Sequence, residues 1–174
     1  MKKFYLPCNQ SIELTGSVKP FYNGYKSKSY FKSTNKVHFG VDLVPGLYTS
    51  IGTNGKVIYS NPNNVGGGIV ISYDLDNDLE LWAMYWHGKP LYKKGEIIKD
   101  NTEYVTDSRR PAPMKFGKHT HFELRIVKKG TSFNYYKNRV LDVCCPYVLK
   151  PKNNLIKIGE KFKNNAEMWG FYYD

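Results

Sequence analysis

Along much of this chain apolar and polar residues alternate, the period-two pattern of strands that bury one face. Residues 36–43 are a clear case: Val37, Phe39, Val41 and Leu43 fall on one face, and Lys36, His38, Gly40 and Asp42 on the other. Residues 51–59 carry Asn54-Gly55, a tight-hairpin signal. Gly66-Gly67-Gly68 leads into Ile69-Val70-Ile71-Ser72-Tyr73, a strand, and residues 74–78 read as the turn after it. Residues 79–87 form a further strand that closes on His87, and residues 95–98 and 103–105 are shorter candidates. Residues 106–118, with two prolines, two arginines and a glycine, read as a loop. Alternation returns over residues 119–127, with Thr120, Phe122, Leu124 and Ile126 on the apolar face and His119, His121, Glu123 and Arg125 on the polar one. No long helical pattern appears, although residues 135–150 have room for a short helix. The pattern predicts a mostly β, antiparallel domain with long loops.

A length of 174 residues favours one compact domain with a sizeable core. We expect that core over residues 31–150, with residues 1–30 as an N-terminal segment packing on it and residues 151–174 as a C-terminal extension. Composition changes the picture in one respect: 26 Lys and Arg against 15 Asp and Glu leave a formal charge of +11. A basic surface attracts polyanions, whether nucleic acid, anionic cell-wall polymer or membrane. The charges form no long block, which also suits an ordinary solvated surface. Cys8, Cys144 and Cys145 are odd in number, and two of them are adjacent, so they read as small buried apolar residues without structural disulfides. No apolar run is long enough for a membrane span, and the stretch after Met1-Lys2-Lys3 is too short for a signal peptide.

The four histidines, His38, His87, His119 and His121, all fall on or at the end of a predicted strand. His38 and Asp42, four residues apart, share a face, and Gly40 between them leaves room for an ion. His119 and His121 share a face only if their segment is a strand. Imidazole nitrogens and a carboxylate are suitable zinc ligands, and a catalytic zinc usually takes three protein ligands. Four histidines and Asp42 make five candidates, which leaves two for acid–base work or charge stabilisation beside the metal. Zinc chemistry of this kind lets water attack an amide near neutral pH.

Together these residues resemble the lysostaphin-type (LytM-type) zinc endopeptidases of bacteria and their phages. That family carries H-x-G-x-D and a late H-x-H-F-E. Here they stand as His38-Phe39-Gly40-Val41-Asp42 and His119-Thr120-His121-Phe122-Glu123. A strand ending in a histidine lies between the two motifs, as in Tyr85-Trp86-His87. Asn54-Gly55-Lys56-Val57-Ile58, Gly68-Ile69-Val70-Ile71 and Lys94-Gly95-Glu96-Ile97-Ile98 match further family segments, so the resemblance covers roughly residues 35–127 in order.

The resemblance implies a duplicated-hybrid-motif-like antiparallel β domain with groove-lining loops. It implies Zn2+ held by His38, Asp42 and His121, with His119 and His87 assisting catalysis and Tyr30 a possible substrate-side equivalent of an upstream tyrosine. It implies hydrolysis of peptide bonds in the stem or cross-bridge of peptidoglycan at the bacterial cell wall, with anionic wall polymers as further partners. A phage lysin or a tail-associated, virion-borne wall-penetration protein fits the lack of a recognisable signal peptide. Two other classes account for part of the sequence: a non-catalytic wall-binding or regulatory module of the same fold, and a basic nucleic-acid-binding domain whose tyrosines stack on bases. No nucleic-acid partner is expected, because that reading leaves the histidine pattern unexplained. The chain departs from the family before H-x-H, where residues 108–118 are bulky and basic in place of a glycine- and serine-rich turn.

Overall fold

In the computed structural model of this protein the described residues are 4–5, 7, 41–43, 45–62, 67–75, 78–109, 119–134 and 155–156, with the backbone alone at 41, 42, 155 and 156. Tyr30, His38, the three cysteines and the residues expected to hold a short helix lie outside them. The described residues form strands β1 (Phe4–Tyr5), β2 (Val41–Leu43), β3 (Leu47–Thr49), β4 (Gly55–Asn61), β5 (Gly68–Asp74), β6 (Leu79–Trp86), β7 (Lys89–Pro90), β8 (Ile97–Ile98), β9 (Tyr104–Asp107), β10 (Thr120–Lys128) and β11 (Leu155–Ile156), and no helix. Every pairing among them is antiparallel. The fold class is therefore the mostly β, antiparallel one that the alternation predicts.

Six strands form the main sheet in the order β2-β10-β6-β5-β4-β8. A second sheet runs β3-β9-β7, and β1 pairs with β11. The larger core gathers one face of the main sheet, with Ile69, Ile71, Leu81, Ala83, Tyr85, Phe122 and Leu124, against Tyr48, Ile51 and Val105 from the region of the second sheet. Each large apolar side chain buried here contributes about 1.5–3 kcal/mol. Two polar ties cross this core: the Tyr85 hydroxyl donates to the Thr49 carbonyl at 2.8 Å, and the Tyr73 hydroxyl lies 2.6 Å from Ser50 Oγ. Burial pushes the Tyr73 hydroxyl's pKa well above its ordinary value, so it stays protonated and available for those bonds.

Three expectations need correction. The central strands are buried on both faces. Val70, Trp82, Met84, Trp86 and Val127 form a second cluster on the other side of the main sheet, with Ile58, Tyr59 and Phe133 packed over it. The Phe133 ring, just beyond β10, lies 5.0 Å from Tyr59 and 5.6 Å from Trp82. The unbroken run Leu81-Trp82-Ala83-Met84-Tyr85-Trp86 carried this signal, since strands covered on both faces lose alternation. Asn54-Gly55 makes no tight hairpin, because β3 pairs with β9 and β4 pairs with β5 and β8. Asn54 takes the left-handed turn (φ 55°), and Gly55 is small for packing: a Cβ there would sit 2.6 Å from both Ile71 Cγ2 and Tyr73 Cε1. Thr106 and Asp107 belong to strand β9, pairing with β7 and β3, and are not part of a loop.

The hairpin from β5 to β6 turns at Asp78 (φ 56°) and is clasped by Glu80. Its carboxylate accepts hydrogen bonds from Ser72 Oγ at 2.7 Å, Trp82 Nε1 at 3.0 Å and the Gly130 amide at 3.2 Å. Burial raises the pKa of this carboxyl, but the three donors outweigh it and hold the group below its ordinary 4.5. A depressed value means that the stability contributed is fully present above pH 4.5 and drains away as pH falls through the folded value. We expect Glu80→Gln to cost about 1–2 kcal/mol at pH 7. The gap from wild type should narrow below pH 4.5 in urea titrations; a gap independent of pH would contradict the clasp.

Candidate metal and catalytic site

Strand β10 lies between β2 and β6, and its register decides what meets at its N-terminal end. Against β2 the partners are Thr120 with Leu43, His121 with Asp42 and Phe122 with Val41. Against β6, His121 stands opposite Trp86. Directly opposed residues of an antiparallel pair share a face, with Cβ atoms about 4.5–5.5 Å apart. The backbone therefore sets Asp42 and His121, two of the expected ligands, at neighbouring positions on one face. His38, the third, lies outside the described residues.

His87 and His119 come to the same place. The His87 ring centroid is 4.6 Å from that of His119 and 6.2 Å from that of His121, both edge-on. His121 is buried, and His87 and His119 are half-buried. Regular alternation after Trp86 would send residue 87 to the opposite face. The backbone instead turns left-handed at His87 (φ 71°), and the ring joins the other two histidines. For a residue with a Cβ this conformation costs of order 1–2 kcal/mol. It is held by the His87 amide, which donates to the Gly67 carbonyl at 2.7 Å. On one side Trp86 packs where Gly68 has no side chain, since a Cβ there would lie 2.3 Å from Trp86 Cε3. On the other, a Cβ at Gly88 would lie 2.3 Å from Thr106 Oγ1. From Gly88 the chain passes to β7 in the second sheet.

Two residues that sequence reasoning left without a role lie behind His121 on the same strand face. Glu123 and Arg125 are both buried, and Arg125 Nε donates to Glu123 Oε1 at 2.6 Å. The other carboxylate oxygen, Oε2, lies 3.5 Å from His121 Nε2, an ion-pair distance longer than a hydrogen bond. Burial raises the Glu123 pKa, but neighbouring His121 and the Arg125 charge outweigh it and hold the carboxyl below its usual range. The fifth residue of the H-x-H-F-E motif was the signal for Glu123.

At the start of the bulky segment before H-x-H, Arg109 closes a fork on the Asp107 carboxylate with two side-chain bonds of 3.0 Å. The Ser108 amide donates to the Gly46 carbonyl at 2.9 Å. Residues 110–118 lie outside the described residues.

The donor types are ones zinc takes: imidazole nitrogens, a carboxylate in register with one of them, and a second carboxylate 3.5 Å from His121, an expected ligand. Among the described residues no group of three or more His, Cys, Asp or Glu stands together as a metal site. Two of the three expected ligand side chains, His38 and Asp42, are not among those described.

No protein-family model matches the chain, and no curated protein matches it in sequence. Among solved structures, a chain of the SpoIIQ-SpoIIIAH pore forming complex is similar at a TM-score of 0.50 and 20% identity, over 82% of this chain and 92% of that one. A zinc containing peptidase from Vibrio cholerae is similar at a TM-score of 0.45 and 23% identity, over 72% of this chain and 37% of that one. The catalytic domain of the prophage-encoded M23 protein EnpA from Enterococcus faecalis, in mutant form, is similar at a TM-score of 0.40 and 21% identity, over 70% of this chain and 88% of that one. The first likeness is one of fold, and it agrees with the antiparallel β class described above.

The left-handed backbone at His87 yields a test that separates strain from chemistry. Glycine relieves the strain and alanine retains it, so His87→Gly should be more stable than His87→Ala by about 1 kcal/mol in urea unfolding. Equal stabilities would show that the φ at this position carries no strain.

Proposed function

We propose that this chain is a zinc-dependent endopeptidase that hydrolyses peptide bonds in the stem or cross-bridge of bacterial peptidoglycan. The observation that carries the reading is the meeting of His87, His119 and His121 at one end of the main sheet, with Asp42 in register opposite His121. In this reading His38, Asp42 and His121 hold the zinc. When bound, zinc supplies Lewis acidity for the scissile carbonyl and the attacking water.

The remaining work falls to the chain's own residues. His119 and His87, with rings 4.6 Å apart, are close enough to serve one reacting carbonyl. One takes the proton of the attacking water and returns it to the leaving amine, and the other donates a hydrogen bond to the developing oxyanion. The left-handed turn fixes His87 for this task before substrate arrives. Tyr30 is assigned to the substrate side. The endopeptidase domain is assigned to residues 31–150, with residues 1–30 as an N-terminal segment and residues 151–174 as a C-terminal extension. The charge of +11 suits a protein working at the cell wall among anionic polymers, including one released or carried by a phage.

A second reading draws on the likeness in fold to a chain from a protein–protein complex. Here the domain binds the wall or regulates another protein without cutting. The two readings part in one experiment. Under the first, the purified protein holds close to one zinc, and digests of defined wall types release new amino termini identified by mass spectrometry. Chelation abolishes the release, and added zinc restores it. His121→Ala loses both metal and activity, whereas His119→Ala keeps the metal and loses activity by about 10²–10⁴-fold. Wall binding without cleavage by zinc-loaded protein would favour the second reading, and full activity of His119→Ala would remove that residue's role.

A further inference from the structure

A carboxylate only accepts hydrogen bonds, and a buried one needs donors for both oxygens. Glu123, 1% exposed, receives Arg125 Nε on Oε1 at 2.6 Å. Among the described residues Oε2 has no hydrogen-bond partner. Its neighbour is His121 Nε2 at 3.5 Å, and His121 is itself 6% exposed. The donor that Oε2 lacks is an N–H on that nitrogen. A neutral imidazole carries its proton on one nitrogen, so a proton on Nε2 leaves the Nδ1 lone pair for a cation.

We infer that Glu123, anchored by Arg125, is a positioning residue that fixes His121 as the Nε2–H tautomer and so presents Nδ1 to the metal. This deepens the zinc reading proposed above and rests on it. The restraint comes from within one strand. His121, Glu123 and Arg125 are successive residues on one face of β10, so ligand, brace and anchor move as a unit. Across β6, Met84 stands opposite Glu123 and Trp82 opposite Arg125, and both side chains are buried in the second cluster. That packing walls the pair off from water, where its hold on the ring would be screened.

The test uses the whole chain and two readouts other than activity. Nitrogen-15 NMR of the metal-free wild type reports the His121 tautomer directly, and the Nε2–H form is expected. Zinc affinity is measured by competition with a chromogenic chelator. Glu123→Gln alone leaves the Arg125 charge buried without its partner and risks unfolding. The variant used is therefore Glu123→Met together with Arg125→Met, which removes both charges at similar volume. It should fold, lose the fixed tautomer and bind zinc about 10–100-fold more weakly. A wild type that binds zinc with His121 in the Nδ1–H form overturns the inference alone, as does a folded double variant with unchanged zinc affinity. A wild type that binds no zinc overturns the zinc reading and this inference together.

Discussion

The register of β10 between β2 and β6 is the constraint on which the site depends. A slip of one residue in either ladder would carry His121 to the face now held by Phe122 and Leu124 and bring a core side chain to the site. That slip is blocked from both sides. Phe122, Leu124 and Ile126 fill the larger core, while Val127 joins the second cluster on the other face. A strand half exposed to water would be pinned by one pattern only. This one is pinned by two, so the place of His121 beside Trp86 and opposite Asp42 follows from the packing of the whole sheet.

Burial on both faces has a cost, and the cost falls on the charged residues of β10. Glu123 and Arg125 are removed from water within the sheet. Desolvating two ions costs several kcal/mol each, and a buried pair rarely returns more than it loses relative to apolar residues of the same size. Stability alone therefore does not account for the pair. Its placement does, because the carboxylate oxygen turned away from Arg125 is the one turned toward His121. In a low-dielectric interior that oxygen constrains the imidazole far more than it could at the surface.

How much of this was legible in the sequence depends on which residue is asked. The faces of β10 were readable from alternation, because each side chain's direction follows from strand geometry and Phe122 and Leu124 had to go inward. The place of β6 was readable as a strand, and its burial on both sides shows in the run Leu81-Trp82-Ala83-Met84-Tyr85-Trp86, which has no alternation. Asn54-Gly55 misled because a short-range turn signal does not say which strand pairs with which. Asn54 took the turn while the chain crossed between sheets. His87 was placed at a strand end, yet its arrival beside His119 depends on one left-handed residue, and no periodicity encodes that. Glu123 was visible as a polar residue on the right face. Its contact with His121 depends on side-chain geometry that spacing does not reveal.

The strain at His87 bears on what the site can do. A left-handed non-glycine residue persists only where its surroundings over-determine it. Here the surroundings act before and after it: Gly68 admits Trp86, the Gly67 carbonyl holds the His87 amide, and Gly88 admits Thr106. The ring is thus aimed by backbone contacts that do not involve a substrate. His121 is aimed as well, by a carboxylate on its own strand. Two histidines held from different strands by unrelated restraints have little freedom left to lose when a reacting group arrives. Groups that need no reorganisation at the moment of reaction contribute most to lowering a barrier. Under the endopeptidase reading proposed above, the sheet is the fixed frame against which a peptide would be positioned.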